Sequence, residues 1–216
     1  SDLLKYVEVR HTDRGPGNGA PISPEKLQAL SGCLDPSSGA DLKFLSSRAE
    51  LERFAKIAGE CERLRLTDPL LNAEFFHRIT GGEGMSPNTR VAWELMKWPP
   101  AVALSMQVVK DPAVCALLHE WDLGTALAGY YEDLVKSSAA IGVLSAGTKE
   151  DPAILKAGMA MQRLWLRATG LQLAIHPISL PLSVFVVVHP LSNIVVVLGQ
   201  PPPQTQGGGG GVMREP

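Results

Sequence analysis

Cysteine is scarce in this chain, and what there is lies far apart: Cys33, Cys61 and Cys115, with no C-x-x-C pair. An odd number at such spacing builds neither a disulfide framework nor a zinc site, and it suits a reducing cytoplasm. Excess charge of either sign is also missing. Twenty Lys plus Arg stand against 22 Asp plus Glu, and no basic stripe is long enough to follow a nucleic-acid backbone, so no nucleic-acid partner is expected. The most apolar run, "SLPLSVFVVVHPLSNIVVVLG" at 179 to 199, is broken by Pro181, Pro190 and Asn193. With no basic-then-apolar leader either, the sequence predicts neither a membrane span nor an export signal. G-x-S-x-G, P-loop and H-E-x-x-H patterns are absent, which removes support for hydrolase and kinase readings.

What is present fits one domain over residues 1–200, since a chain of 216 residues can close around a single core. Residues 201–216, "PPPQTQGGGGGVMREP", carry a Pro triplet and a Gly quintet and are expected to be an extended tail. The opening "SDLLKYVEVR" reads as a helix that starts abruptly, as in a piece of a larger protein. Ser23, Pro24 and Glu25 signal a short helix over 23–33. In "SSRAELERFAKIAGECERLRL", Leu51, Phe54, Ala55, Ala58 and Cys61 or Glu62 recur at helical spacing with charges opposite, which predicts an amphipathic helix. "GGEGMSPN" at 81–88 reads as a loop. "TRVAWELMKW" reads as helix up to a stop at Pro99 and Pro100, and another helix follows Asp111 and Pro112.

Short, apolar "AAIGVLSA" at 139–146 suits a buried strand, and "VFVVV" and "NIVVVLG" suit two more in one sheet. Between them, "DPAILKAGMAMQRLWLRATG" predicts a helix with an Asp cap and a Gly stop at Gly170. It is apolar nearly all round, with a narrow flank at Ala157, Gly158 and Ala160, and should lie in the core or at a subunit interface. His77 and His119 have no second ligand one turn away, so they read as surface or core histidines. His176 and His189 each precede Pro and read as loop turns. Glu83 and Glu94 could line a pocket, and the four scattered tryptophans read as packing.

The stretch "RHTDRG" at 10–15 gathers Arg10, His11, Thr12 and Arg14. Two readings are open: a grip for an anion, because guanidinium forks and a hydroxyl complete a phosphate cradle, or a solvated turn neutralised by Asp13.

Read in order, the basic cluster, the "PISPEKLQAL" helix, the "DPSSGADLKF" turn, the charged helix, the buried strand, "AGMAMQRLWLRATGLQLAIHPI" and "VVVLGQPPP" resemble the nitroreductase superfamily of flavin enzymes over nearly the whole chain. The pattern at 158–171 is similar to the divergent branch in which two half-domains are fused, sometimes beside an adenylating domain. The resemblance implies an α+β fold with a mostly antiparallel sheet flanked by helices, a homodimer or pseudo-dimer with a second half-domain, and FMN at the dimer interface. It implies an oxidoreductase taking hydride from NAD(P)H to a nitroaromatic or quinone-like acceptor. Carried over residue by residue, it assigns Arg10, His11, Thr12, Arg14 and Arg214 to the FMN phosphate, Ser37 and Gly39 to the flavin turn, and Gly170 and Leu171 to backbone near the ring. Pro36, Ser37 and Gly39 keep the family's turn, whereas Ala40, Leu42, Lys43 and Phe44 replace its polar and aromatic signature. A ring without amide donors at its edge is poorly tuned, so the alternative is a degenerate domain that keeps fold and dimer as a binding module of a larger protein.

Overall fold

The computed structural model describes residues 2–80, 91–146, 148, 150–178 and 193–199. Four strands form one sheet in the order β1-β2-β4-β3: β1 (Asp41–Leu45), β2 (Ala140–Ser145), β3 (Ala174–Ile178) and β4 (Asn193–Gly199). Every pair is antiparallel, with Leu42 opposite Leu144, Val143 opposite Val195 and Ile175 opposite Leu198. Helices are α1 (Pro24–Ser31), α2 (Arg48–Thr67), α3 (Pro69–Thr80), α4 (Pro100–Val109), α5 (Pro112–Glu120), α6 (Thr125–Lys136) and α7 (Asp151–Gly170). The expected α+β class is what the chain adopts.

Strand alternation divides the core. On one face Ala140 and Leu144 of β2 and Ile175 of β3 pack with Ala160, Met161, Leu164 and Ala168 of α7. On the other, Ile141 and Ile178 meet Leu51, Ala55 and Ala58 of α2 and Val135 of α6. A helical subcore of Leu66, Phe75, Phe76, Ile79, Met106 and Val109 extends that second layer. The amphipathic reading of α2 holds, opened by a capping box in which Ser47 and Glu50 satisfy each other's backbone N–H groups. Glu62 falls on its buried side, only 5% exposed. A Cβ at Gly59 would stand 2.8 Å from the Ala128 carbonyl oxygen, so α2 and α6 cross where only glycine fits.

Several local expectations are corrected. The opening helix shrinks to a 3₁₀ turn, Leu4–Tyr6. "TRVAWELMKW" yields, among its described residues, only the 3₁₀ turn Trp93–Met96, closed by Lys97 at φ 53°. Pro99 and Pro100 do not merely stop a helix; Pro100 begins α4, where its missing N–H costs nothing. Glu150, not Asp151, is the N-cap of α7. His176 sits within β3 rather than in a loop turn. Among the described residues β3 lies at one edge of the sheet, where Pro177 is tolerated. "GGEGMSPN", "VFVVV", Glu83, His189, the tail and Arg214 lie outside the described residues. No single helix among the described residues is long and apolar enough to cross a membrane.

Candidate functional site

The free edge of β3 places the basic cluster. Thr12 forms a parallel bridge to Ile175, and the Asp13 N–H donates to the Ile175 carbonyl at 3.1 Å. In such an extended segment successive side chains point to opposite sides. Asp13 turns one way: its Oδ1 accepts from the Gly15 N–H at 3.0 Å and pairs with Lys97 Nζ at 2.7 Å. Thr12 and Arg14 turn the other way, into a cleft of ≈310 Å³ walled by Phe75, Ile79, Met96 and Ile178 and also lined by Arg65, Tyr131 and His176.

Arg14 has no ion-pair partner among the described residues, and burial pushes its pKa down. Arg10 lies with its guanidinium carbon 4.3 Å from the Trp165 ring centroid, and its Nε is buried with no hydrogen-bond partner among the described residues. His11 is exposed, and its carbonyl accepts from Trp165 Nε1 at 3.2 Å. Asp13 is thus engaged by Lys97 rather than by either arginine, and Arg10 keeps a buried Nε with no hydrogen-bond partner among the described residues.

Arg10 and His11 do not line the Arg14 cleft, and the other expected residues are dispersed as well. Ser37 is exposed and bonds to Asp35 Oδ1 through both its N–H and its hydroxyl, and Gly39 closes the same turn at φ 67°. Neither lines the Arg14 cleft. Gly170 ends α7 against the Tyr6 ring, 2.7 Å from where a Cβ would be, and the Leu171 carbonyl accepts from Lys26 Nζ at 3.0 Å. The chain's own side chains thus cover that turn. Ala40, Leu42 and Phe44 pack on the core, while Asp41 and Lys43 face solvent, so β1 offers the cleft no amide.

Arg65, Tyr131 and His176 in the cleft, and Glu62 beside it, were not assigned to a site by the sequence reading. Glu62 and Arg65, one turn apart on α2, form an ion pair whose carboxylate is buried. Burial, with the Glu62 charge adding, pushes the Tyr131 phenol well up. Burial, then the neighbouring Arg14 charge, pushes His176 down to about 4, so it is neutral at pH 7. The one signal available was Glu62 itself, a carboxylate at a core-facing helical position.

No family model matches the chain. It is 26% identical over 177 residues to an uncharacterized protein of Mycobacterium tuberculosis. That match takes in 82% of this chain and 25% of the relative, so the chain spans about a quarter of the length of the curated relative it matches. Among solved structures, a nitroreductase with bound FMN from Bacteroides fragilis superposes with a TM-score of 0.50 at 12% identity, covering 99% of this chain and 95% of that one. An oxidized iodotyrosine deiodinase bound to FMN and 3-iodo-L-tyrosine gives a TM-score of 0.53 at 12% identity, covering 99% and 97%. The fold is that of the nitroreductases.

Proposed function

We propose that this chain is an FMN-dependent oxidoreductase of nitroreductase type, with Arg10, Thr12 and Arg14 as the phosphate grip. The observation that supports the reading is that, among the described residues, Arg10 Nε is buried without a hydrogen-bond partner and Arg14 makes no ion pair, both on a segment whose acid is held by Lys97. A phosphate dianion answers such donors with charge-assisted bonds. Two solved structures of this fold contain FMN, which supports the same cofactor here. The Arg214 assignment stays part of the proposal, on the resemblance alone.

When bound, FMN supplies two-electron chemistry between a nicotinamide donor, NADH or NADPH, and an electron-poor acceptor such as a nitroaromatic or a quinone. The chain's own residues bind and orient. Arg10 stacks over the Trp165 ring, Thr12 is fixed by its bridge to β3, and Arg14 lines the cleft. Phe75, Ile79 and Met96 give that cleft apolar walls. His176, kept neutral, adds no positive charge beside Arg14.

Ser37 and Gly39 stand apart from this cleft, which favours a site completed by a second copy or half-domain. Leu155 and Met159 on α7, 68% and 59% exposed, give such a partner an apolar face.

A second reading has its own observation. β1 presents only apolar side chains inward, and Tyr6 covers Gly170; both favour a domain that keeps the fold as a binding module and has lost the ring. Titrating the protein with FMN and with riboflavin separates the two readings.

A further inference from the structure

Between α3 and the start of α5 lies a second cavity, of ≈250 Å³, that shares no residue with the Arg14 cleft. One water needs only about 10 to 15 Å³ of such space, so this one has room for a single-ring molecule. Pro69, Ala73, Phe76 and Pro112 give it apolar walls. Its polar floor is Asn72, which lines it and is 4% exposed. Both Nδ2 hydrogens of that amide are spent away from the cavity, on the carbonyls of Leu66 at 2.7 Å and Val109 at 3.1 Å, neither of which lines it. The remaining polar atom is Oδ1. It accepts no hydrogen bond among the described residues, and it is not one of the sealed atoms that lack a partner, so it is open to the cavity. Beside it the Cys115 thiol donates to the Thr67 carbonyl at 3.4 Å, and burial, then the Asp68 charge, pushes its pKa up, so it adds no negative charge. At the rim stand Lys110, the C-cap of α4, and His77, both exposed and without an ion-pair partner among the described residues. Asp68 and Asp111 do not line the cavity; they accept from the first N–H groups of α3 and α5.

We propose that this cavity binds a small hydroxylated aromatic carboxylate: its hydroxyl donates to Asn72 Oδ1, its ring lies between Phe76 and the two prolines, and its carboxylate meets Lys110 and His77 at the rim. The order follows from burial. A buried oxygen that can only accept calls for a donor at the inner end of the ligand, and an ammonium beside an imidazole at the mouth calls for an anion at the outer end. The walls between them suit a flat apolar body. A cation is repelled by Lys110, and a plain hydrocarbon leaves Oδ1 unmet. This inference does not rest on the flavin reading.

The test titrates the full chain with 4-hydroxybenzoate, with 4-methoxybenzoate, which keeps the oxygen and loses its donor, and with phenol, which loses the carboxylate. 4-Hydroxybenzoate should bind saturably and about tenfold or more tighter than the methyl ether, since a site built to hydrogen-bond rejects the analogue that cannot. It should also shift the Asn72 Nδ2 resonances. Lys110→Met should weaken it about three- to tenfold and leave phenol unchanged, because an exposed ion pair at a rim contributes modestly. Ala73→Phe, which fills the cavity from an exposed position, should abolish binding. Equal affinity for 4-hydroxybenzoate and its methyl ether, no saturable binding, or unshifted Asn72 resonances overturns the proposal. So does undiminished binding by Ala73→Phe, which would put the acid elsewhere, as at the Arg14 cleft. The ligand comparison and the Asn72 resonances are read on the unmodified protein, so they decide the matter even where a variant fails to fold. FMN affinity is measured separately on the same proteins, so loss of this site leaves the flavin reading standing.

Discussion

Asp13 is bonded to Lys97, Oδ1 to Nζ at 2.7 Å, and to neither arginine of its own segment. Burial alone would raise the Asp13 carboxyl; the Lys97 ammonium and the Gly15 N–H together outweigh it and hold its pKa below the usual range. The carboxylate therefore persists at neutral pH as the anchor of a turn. Arg10 and Arg14 make no ion pair among the described residues, although Asp13 is the immediate neighbour of Arg14. The same alternation that separates Thr12 and Arg14 from Asp13 is what turns a basic stretch into a directed one.

His176 gives the fold a pH signature. Its folded pKa, pushed down to about 4, lies below its ordinary value of 6.5, so between those two pH values the unfolded chain holds more protons than the folded one. Stability should then be full above pH 6.5, fall as pH drops from about 6.5 to about 4, and lose nothing more to this group below that. Urea midpoints measured across that window should fall with pH for the parent. In His176→Phe that component of the slope should vanish; an unchanged slope would show that His176 is not held neutral.

Gly59→Ala should destabilise the α2–α6 contact. The added methyl would stand 2.8 Å from the Ala128 carbonyl oxygen and 2.7 Å from Glu132 Cγ, and a backbone oxygen in a packed helix cannot swing aside. Overpacking costs about 1 to 3 kcal/mol and better helix propensity returns about 1 kcal/mol. A net loss of up to about 2 kcal/mol in urea unfolding is expected, and a net gain of about 1 kcal/mol, the propensity gain alone, would mean that the helices stand farther apart.

How much of this the sequence disclosed depends on where each residue's fate is decided. α2 and α7 are long and periodic, and the Ser47 box and the Gly170 stop are local signals, so both are legible. β1 is five residues of mixed polarity; only its pairing with β2 makes Asp41–Leu45 a strand, and pairing across about a hundred residues leaves no local mark. His176 and Pro177 look like a turn because Pro lacks the ladder donor, and the edge position that tolerates it belongs to the sheet order. The chemistry of "RHTDRG" was legible as residue types. That Asp13 pairs with Lys97, 84 positions on, is tertiary information. Glu62, Arg65, Tyr131 and His176 come from three elements, so their meeting could not be read along the chain.

The exposed stripe of α7 should mediate self-association. Ile154, Leu155 and Met159 are 50%, 68% and 59% exposed on a helix whose opposite side is buried in the core. Light scattering at micromolar concentration should give a dimeric mass for the parent and a monomeric mass for Leu155→Glu/Met159→Glu. The same mass for both proteins would remove this face from any interface.

The central claim, that Arg10, Thr12 and Arg14 grip the phosphate of FMN, is tested most directly by parallel fluorescence titrations with FMN and riboflavin. The account predicts that the parent binds FMN more tightly than riboflavin. Arg10→Ala and Arg14→Ala should each weaken FMN by about one to two decades, the loss of one charge-assisted bond at roughly 1.5 to 3 kcal/mol, and Thr12→Val should weaken it less. Asp13→Asn should leave FMN affinity within about twofold, because its carboxylate is already held by Lys97. Riboflavin, lacking the phosphate, should be indifferent to all four substitutions. Equal affinity of the parent for FMN and riboflavin, or no binding of either, would contradict the claim and leave the module reading in its place.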